Sequence, residues 1–371
     1  MIPAAIFVYG FLTLFMTINA LRPPSPPASK FPALWLPAVL VAEAPIMFLL
    51  IRIVVAGFAW LAGVAENPVG RAGLWLVGLS LLLQPVLISR AGRSAARLGP
   101  RRAEATWWEA LTSWPYRLPP DVELLRDIEY VPGLAFDLYR PNARGGRLPC
   151  LVYLHGGSWG GGDPRRQFRP IVHYLARNGW AVASIRYPLS PQATFPDHLL
   201  GPVGMLDWLD ENAIDFEIDP DRVAIAGGSS GAHLASLSAL SGDKRIKAAI
   251  GLYGVYDFMN RHGHRADWPV IPKRVMKATS ATDPDRFRLA SPVDQAHPDA
   301  PPFLLIHGDY DSLVPIAETH FFAGSLSAAG SPIEVIAVRW AQHAFDLLAG
   351  ARSRALAPVI EDFLTRRVLA P

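Results

Sequence analysis

Arg222-Val-Ala-Ile-Ala-Gly-Gly-Ser-Ser-Gly-Ala-His-Leu-Ala-Ser-Leu237 is the stretch on which the reading of this chain turns. Arg222–Ala226 is a short apolar run of strand type, Gly227-Gly228-Ser229-Ser230-Gly231 is a tight turn, and Ala232 onward reads as a helix. A GxSxG turn between a strand and a helix holds a serine hydroxyl out at the carboxyl end of a sheet. The residues flanking the serine must be small, because the turn is sharp. The next backbone N–H, on Ser230, then lies at a helix N-terminus, where it can stabilise an oxyanion. Ser229 is therefore the expected nucleophile. Ser230 lacks the flanking-glycine register and is expected to be an oxyanion donor. A glycine-rich turn without chemistry is the alternative, and the rest of the chain weighs against it.

Upstream, Leu151–Leu154 runs into His155-Gly-Gly-Ser-Trp-Gly-Gly-Gly-Asp163. Glycines at a strand end let backbone N–H groups approach a substrate closely. Gly156 and Gly157 are the expected further donors for a developing oxyanion. No Gly-Lys-Ser/Thr follows, which argues against a phosphate loop. His155 is expected to shape the loop rather than to act as a base.

A serine hydroxyl needs a base, and the base needs an orienting carboxylate. With the nucleophile on this kind of elbow, the chain order is serine, acid, histidine. Phe303–Ile306 is a strand followed by His307-Gly-Asp-Tyr-Asp-Ser-Leu-Val-Pro315, so Asp309 and Asp311 both qualify by position. Glu334–Val338 is the last strand, and His343 stands in the loop after it. Among the other histidines, His233 and His320 fall within helices. His262 and His264 form an HxH pair without a carboxylate-rich partner motif, so a solvated loop is the better reading than a metal site.

Around these motifs, short strand-type runs alternate with helices. The strands are Ala135–Tyr139, Leu151–Leu154, Trp180–Ile185, Val223–Ala226, Ala248–Leu252, Phe303–Ile306 and Val335–Val338; Ile171–Asn178 and Gly201–Glu211 are helical. That alternation predicts a mostly parallel sheet flanked by helices over residues 127–371; with the GxSxG elbow, the expectation is an α/β-hydrolase fold. Residues 259–290 would form a cap insertion.

The first 92 residues are different. The whole chain is 51% hydrophobic and 18% charged, against roughly 25% charged in a soluble domain, and the apolar excess lies before about residue 90. Ile2–Leu21 carries no charge over a length that crosses a bilayer core. A cleaved signal peptide is disfavoured, because neither a basic n-region nor a small-residue cleavage site is present. Residues 31–65 read as an interfacial or kinked piece followed by one span, and residues 72–89 as a third span. Glu43 and Arg52 fall in this apolar sequence; the expectation is that Glu43 lies at an interface and Arg52 snorkels, without pairing to each other. Arg90, Arg93, Arg97, Arg101 and Arg102 follow the last span, which places the catalytic domain on the cytoplasmic side of a multi-pass inner-membrane protein. Residues 93–126 form a juxtamembrane arm, whose Trp107, Trp108, Trp114 and Tyr116 suit either an interface or plain packing. A net charge of +3 gives no reason to expect a nucleic-acid partner. The one cysteine, Cys150, begins a strand and is expected to be a packing residue.

The chain resembles the hormone-sensitive-lipase-like carboxylesterases, and most closely the membrane-bound lipase/esterase proteins of mycobacteria and related actinobacteria. The resemblance rests on Thr17–Ala20 and Ser89–Arg93 near the spans, and on Ser190–His198, Gly251–Phe258, Asp299–Pro302, His307–Pro315 and Gln342–Asp346 in the hydrolase part. It implies that Asp311, rather than Asp309, is the triad acid. It also implies His343 as the base and Gly156 and Gly157 as oxyanion residues. The chain departs from the family at the elbow, where Ser230 and Ala232 replace an alanine and a glycine, and at Gln192, where the family has a glutamate. The expected activity is hydrolysis of an apolar or lipid ester through an acyl-enzyme, with no cofactor or metal and with membrane lipid as the surrounding partner. An amidase or formamidase, or a non-catalytic membrane scaffold, are the alternatives.

Overall fold

A computed structural model describes residues 1–23, 34–113, 117–142 and 145–369. Most of the proline-rich linker, the start of the 31–65 stretch, and Trp114 and Tyr116 lie outside the described residues. The chain begins with four helices: α1 (Ile2–Leu21), α2 (Trp35–Glu43), α3 (Pro45–Leu61) and α4 (Pro68–Leu98). A short helix α5 (Trp107–Thr112) leads into the sheet domain.

The helical region packs through small and polar residues. α1 buries Gly10, Thr13 and Thr17, and α4 buries Gly70, Gly73, Val77, Ser80 and Gln84. Their larger apolar side chains, among them Phe11, Phe15, Trp75 and Leu82, point outward and are exposed. The backbones come so close that a Cβ on Gly10 would sit 2.4 Å from the Gly73 carbonyl oxygen. Gly73 lies against Phe7, and Arg90 Nη1 donates to the Leu21 carbonyl oxygen at 2.7 Å, so α1 and α4 run the same way. α3 runs back alongside α4, from Pro45 beside Gln84 to a turn beside Gly70. α1 and α4 are each long and apolar enough to cross a membrane, and α2 and α3 form a pair bent by 92°. At 31 residues α4 outruns the span expected at 72–89.

Two expectations for this region need correction. Glu43 is not at an interface: it is buried and its Oε1 pairs with Arg352 Nη1 at 2.6 Å. Arg52 does not snorkel either. It is buried with Nη1 on Gln84 Oε1 and Nη2 toward the Thr13 carbonyl oxygen. In both cases packing against other elements supplies polar partners that a lone helix lacks.

The sheet domain contains β1 (Val122–Val131), β2 (Leu134–Pro141), β3 (Leu148–Leu154), α6 (Arg169–Arg177), β4 (Ala181–Ile185), α7 (Leu200–Asn212), β5 (Ile218–Gly228), α8 (Ser230–Ala239), β6 (Ile246–Leu252), α9 (Pro284–Leu289), β7 (Phe303–Gly308), α10 (Ile316–Ala328), β8 (Ile333–Val338) and α11 (Ala351–Leu364). The strand order is β1-β2-β4-β3-β5-β6-β7-β8. β1 with β2 and β2 with β4 are antiparallel, and every later pair is parallel. This mostly parallel sheet flanked by helices is an α/β-hydrolase fold. Its central strands are buried on both faces, which is why they read as unbroken apolar runs. All seven sequence-read strands are present. β1 is additional and begins inside the segment read as the juxtamembrane arm. It sits at the sheet edge, carries Glu123, Arg126, Asp127 and Glu129, and is broken by two register shifts, so no alternation survives in its sequence. Cys150 is fully buried in β3, and burial pushes its thiol up to about 12.

Candidate active site

β5 ends at Gly228, and α8 begins at Ser230. Between them Ser229 is held at φ 54° and ψ −118°. Such a backbone costs a non-glycine residue on the order of 1–3 kcal/mol, offset only where surrounding structure fixes it. Here the Ser229 N–H donates to the Leu252 carbonyl oxygen at 2.9 Å. The flanking glycines are required sterically. A Cβ on Gly231 would lie 2.0 Å from the Leu154 carbonyl oxygen, and one on Gly227 would lie 2.2 Å from the Gly231 carbonyl. Both clashes are with backbone, which cannot move aside.

The loops after β7 and β8 bring an acid and a histidine to this serine. His343 Nε2 lies 3.1 Å from Ser229 Oγ, and His343 Nδ1 lies 2.7 Å from Asp311 Oδ2. With its Nδ1–H donated to the carboxylate, a neutral His343 presents a bare Nε2 to the serine hydroxyl. Asp311 is buried. Its Oδ1 accepts from the Leu313 and Val314 N–H groups at 2.9 and 2.7 Å. Burial alone would raise its carboxyl. The positive charge of His343 in its imidazolium form and the hydrogen bonds from His307 and His343 outweigh burial and hold it down at about 2. Asp309 is turned elsewhere: its Oδ1 accepts from the Trp340 N–H, and Oδ2 faces Arg339. Gln342 ties the two loops together, since its Oε1 accepts from the Ser312 and His343 N–H groups at 2.7 and 3.0 Å.

His307 was read only as the start of the loop after the Phe303–Ile306 strand; it falls within β7 and belongs to this network. Its Nε2 faces two acceptors, Val314 O at 2.8 Å and Asp311 Oδ2 at 3.2 Å, and therefore carries the proton. Its Nδ1 accepts from the Thr319 hydroxyl at 2.7 Å. Asp311 and Val314 are close in sequence, but the turn that aims them at His307 carries no motif, and Thr319, which fixes the other ring nitrogen, is on α10.

The glycine loop after β3 lies beside the elbow, where a Cβ on Gly156 would be 3.1 Å from Ser229 Cβ. One expected donor is corrected. The Gly156 N–H is already donated to Gln167 Oε1 at 2.7 Å, so it is not available to a substrate oxygen. Among the described residues the N–H groups of Gly157, Ser158 and Ser230 have no protein acceptor. Ser158 and Trp159 both take positive φ, at 53° and 59°. The Ser230 hydroxyl is buried against Tyr187 Oη at 3.4 Å, which removes it as a rival nucleophile and leaves its N–H. His155 shapes this loop, stacking on Tyr187 at 4.6 Å. His233 is a buried helix residue. Its Nδ1 accepts from Trp159 Nε1 at 3.1 Å, and its Nε2 is 2.7 Å from the Ala290 carbonyl oxygen. His262 and His264 stack near Phe321, His320 is exposed on α10, and Gln192 is exposed.

A cavity of about 240 Å³ opens at Ser229, lined by Ser158, Trp159, Val255, Trp268, Val270 and Leu313. Trp268 and Val270 come from the 259–290 insertion, which therefore forms part of the site's wall.

A family model described as BD-FAE matches residues 136–326. The chain is 33% identical over 403 residues to the probable carboxylic ester hydrolase LipM of Mycobacterium tuberculosis, covering 96% of this chain and 92% of that one. The chain is a BD-FAE-family carboxylic ester hydrolase. Esterase LipQ of the same organism is 37% identical over 64% of this chain and 61% of its own. Among solved structures, a fungal esterase from Rhizomucor miehei superposes with a TM-score of 0.60 at 21% identity, over 76% of this chain and 97% of that one. That likeness supports the fold alone. The family match starts at β2 and ends within α10. The likeness to LipM extends over nearly the whole BD-FAE-family chain, helical region included.

Proposed function

We propose that this ester hydrolase is a membrane-anchored serine carboxylesterase or lipase, in which Ser229, His343 and Asp311 act as the catalytic triad. The observation that carries the reading is the unbroken line from Ser229 Oγ to His343 Nε2 at 3.1 Å and from His343 Nδ1 to Asp311 Oδ2 at 2.7 Å. Ser229 Oγ attacks the acyl carbonyl as His343 takes its proton. Asp311 holds the imidazole in the required tautomer and stabilises the imidazolium. The N–H groups of Gly157, Ser158 and Ser230 supply the donors for the tetrahedral oxyanion. The alcohol departs with the proton from His343, and water activated by the same nitrogen then releases the acid from Ser229.

The anchoring reading rests on α1, α4 and the bent α2–α3 pair. The outward residues of α1, α3 and α4 are large and apolar, and α1 meets the first half of α4 mainly through small and polar residues. Three crossings place the end of α1, the arginines at the end of α4 and the hydrolase domain on one side, and the positive-inside rule makes that side cytoplasmic.

The test is hydrolysis of a series of acyl esters, each with its matched amide, by the full chain and by Ser229→Ala. Esters should be turned over, amides far more slowly, and the variant should be inactive on both. Faster turnover of the amides would replace the esterase assignment with an amidase. Undiminished activity in Ser229→Ala would reject the triad.

A further inference from the structure

The imidazole of His343 is flanked by two aromatic rings. Tyr253 lies on one flank, with ring centroids 4.7 Å apart; it is buried, and its hydroxyl donates to Asp346. The other ring is Trp35, the first residue of α2, edge-on at 5.5 Å with an interplanar angle of 80°. Trp35 thus comes from the N-terminal helical region, outside the hydrolase domain. It is only partly buried, and it is not among the residues lining the cavity at Ser229.

α2 is held firmly against the hydrolase domain at its far end. Glu43 pairs with Arg352 on α11, its carbonyl oxygen accepts from the Ser113 hydroxyl at 2.9 Å, and Gly350 has no room for a Cβ beside it. Immediately beyond Glu43 the chain bends by 92° into α3, whose outer face exposes Ile53, Val54, Phe58 and Leu61. Next to Trp35, Leu36 is exposed and Pro37 and Leu40 are partly exposed, so the free face of α2 near the imidazole is apolar.

When the ester C–O bond breaks, its electron pair goes to the alcohol oxygen, and the proton on His343 Nε2 goes to that same oxygen. The departing alcohol must then lie against the His343 side of the site, while the cavity beneath Trp159 and Trp268 is left for the acyl chain. We propose that Trp35 is a specificity-determining residue that walls the alcohol side of the site, so that the enzyme selects esters with an extended apolar alcohol, received along α2 from the helical region. This rests on His343 being the general acid–base.

The experiment uses the full chain in detergent micelles, with Trp35→Ala and Trp35→Phe, and two sets of esters. One set fixes the acyl group and lengthens the alcohol from methyl to decyl; the other fixes the alcohol and lengthens the acyl chain. Trp35→Ala is expected to lower kcat/KM by about tenfold or more for long alcohols, to leave methyl esters within about threefold, and to leave the acyl-chain profile unchanged. Trp35→Phe should restore most of the long-alcohol preference. An equal loss for every ester would mean that Trp35 merely props His343, and no loss would mean that the alcohol does not touch it; either overturns the proposal. His343→Gln, run in parallel, tests the underlying reading separately, because activity retained there removes the general acid–base whatever Trp35 does.

Discussion

Four donors converge on one carboxylate: Leu313 and Val314 N–H groups on Asp311 Oδ1, and His343 and His307 on Oδ2. An amide at this position loses an acceptor and presents an NH₂ group to the imidazole. Asp311→Asn should therefore lower kcat by on the order of 10³–10⁴-fold while the fold persists, as steady-state kinetics and circular dichroism would show together. The same carboxylate links stability to pH. Its folded-state value, about 2, is below the ordinary aspartate value of about 3.9. Its contribution is complete above about pH 4 and is lost as pH falls through about 2. The stability gap between the native chain and Asp311→Asn should narrow over that interval; a constant gap would contradict the assignment. Ser229 and His343 are legible in the sequence because the strand, turn and chain order that define them are local. Position could not separate Asp311 from Asp309, which share one loop. The answer lies in which side chain turns toward His343 and which toward Trp340. The error at Gly156 has the same origin, since the Gln167 side chain that occupies its N–H is eleven residues away (167 − 156) and carries no motif.

At the scale of elements, the elbow and the α1–α4 contact depend on the absence of side chains. Gly231→Ala forces a Cβ to within 2.0 Å of the Leu154 carbonyl oxygen. Overpacking of this kind costs about 1–3 kcal/mol or more, and here it pushes β3 and the elbow apart. The expected result is a lower Tm together with loss of activity, and a variant with unaltered Tm would show that the backbone approach is looser than described. The parallel strands were read readily because burial on both faces leaves continuous apolar runs. β1 escaped because an edge strand with charged outward residues and bulges has no such run. The length of α4 escaped in part because its arginine-rich end continues as helix past the apolar span.

Across the whole molecule, the helical region and the hydrolase domain are joined by a buried ion pair, Glu43 with Arg352, between residues 309 positions apart. A helix-by-helix reading put Glu43 at an interface because nothing near it in sequence reveals an arginine on α11. Removing one partner leaves the other charge buried. Glu43→Ala should cost about 3–5 kcal/mol, whereas replacing both partners by apolar residues of similar volume should recover most of that loss. Thermal unfolding of the single and double variants checks this; equal losses in the two would indicate that packing, rather than the stranded charge, is responsible. The same joint brings Trp35 of α2 against the imidazole of His343. Ser229 is the proposed nucleophile of this ester hydrolase. The most direct measurement is labelling of the full chain with a fluorophosphonate, followed by mass spectrometry of the modified peptide. The adduct should fall on Ser229 alone, vanish in Ser229→Ala and form far more slowly in His343→Gln. An adduct on another residue, or labelling that survives Ser229→Ala, would rule out Ser229 as the nucleophile.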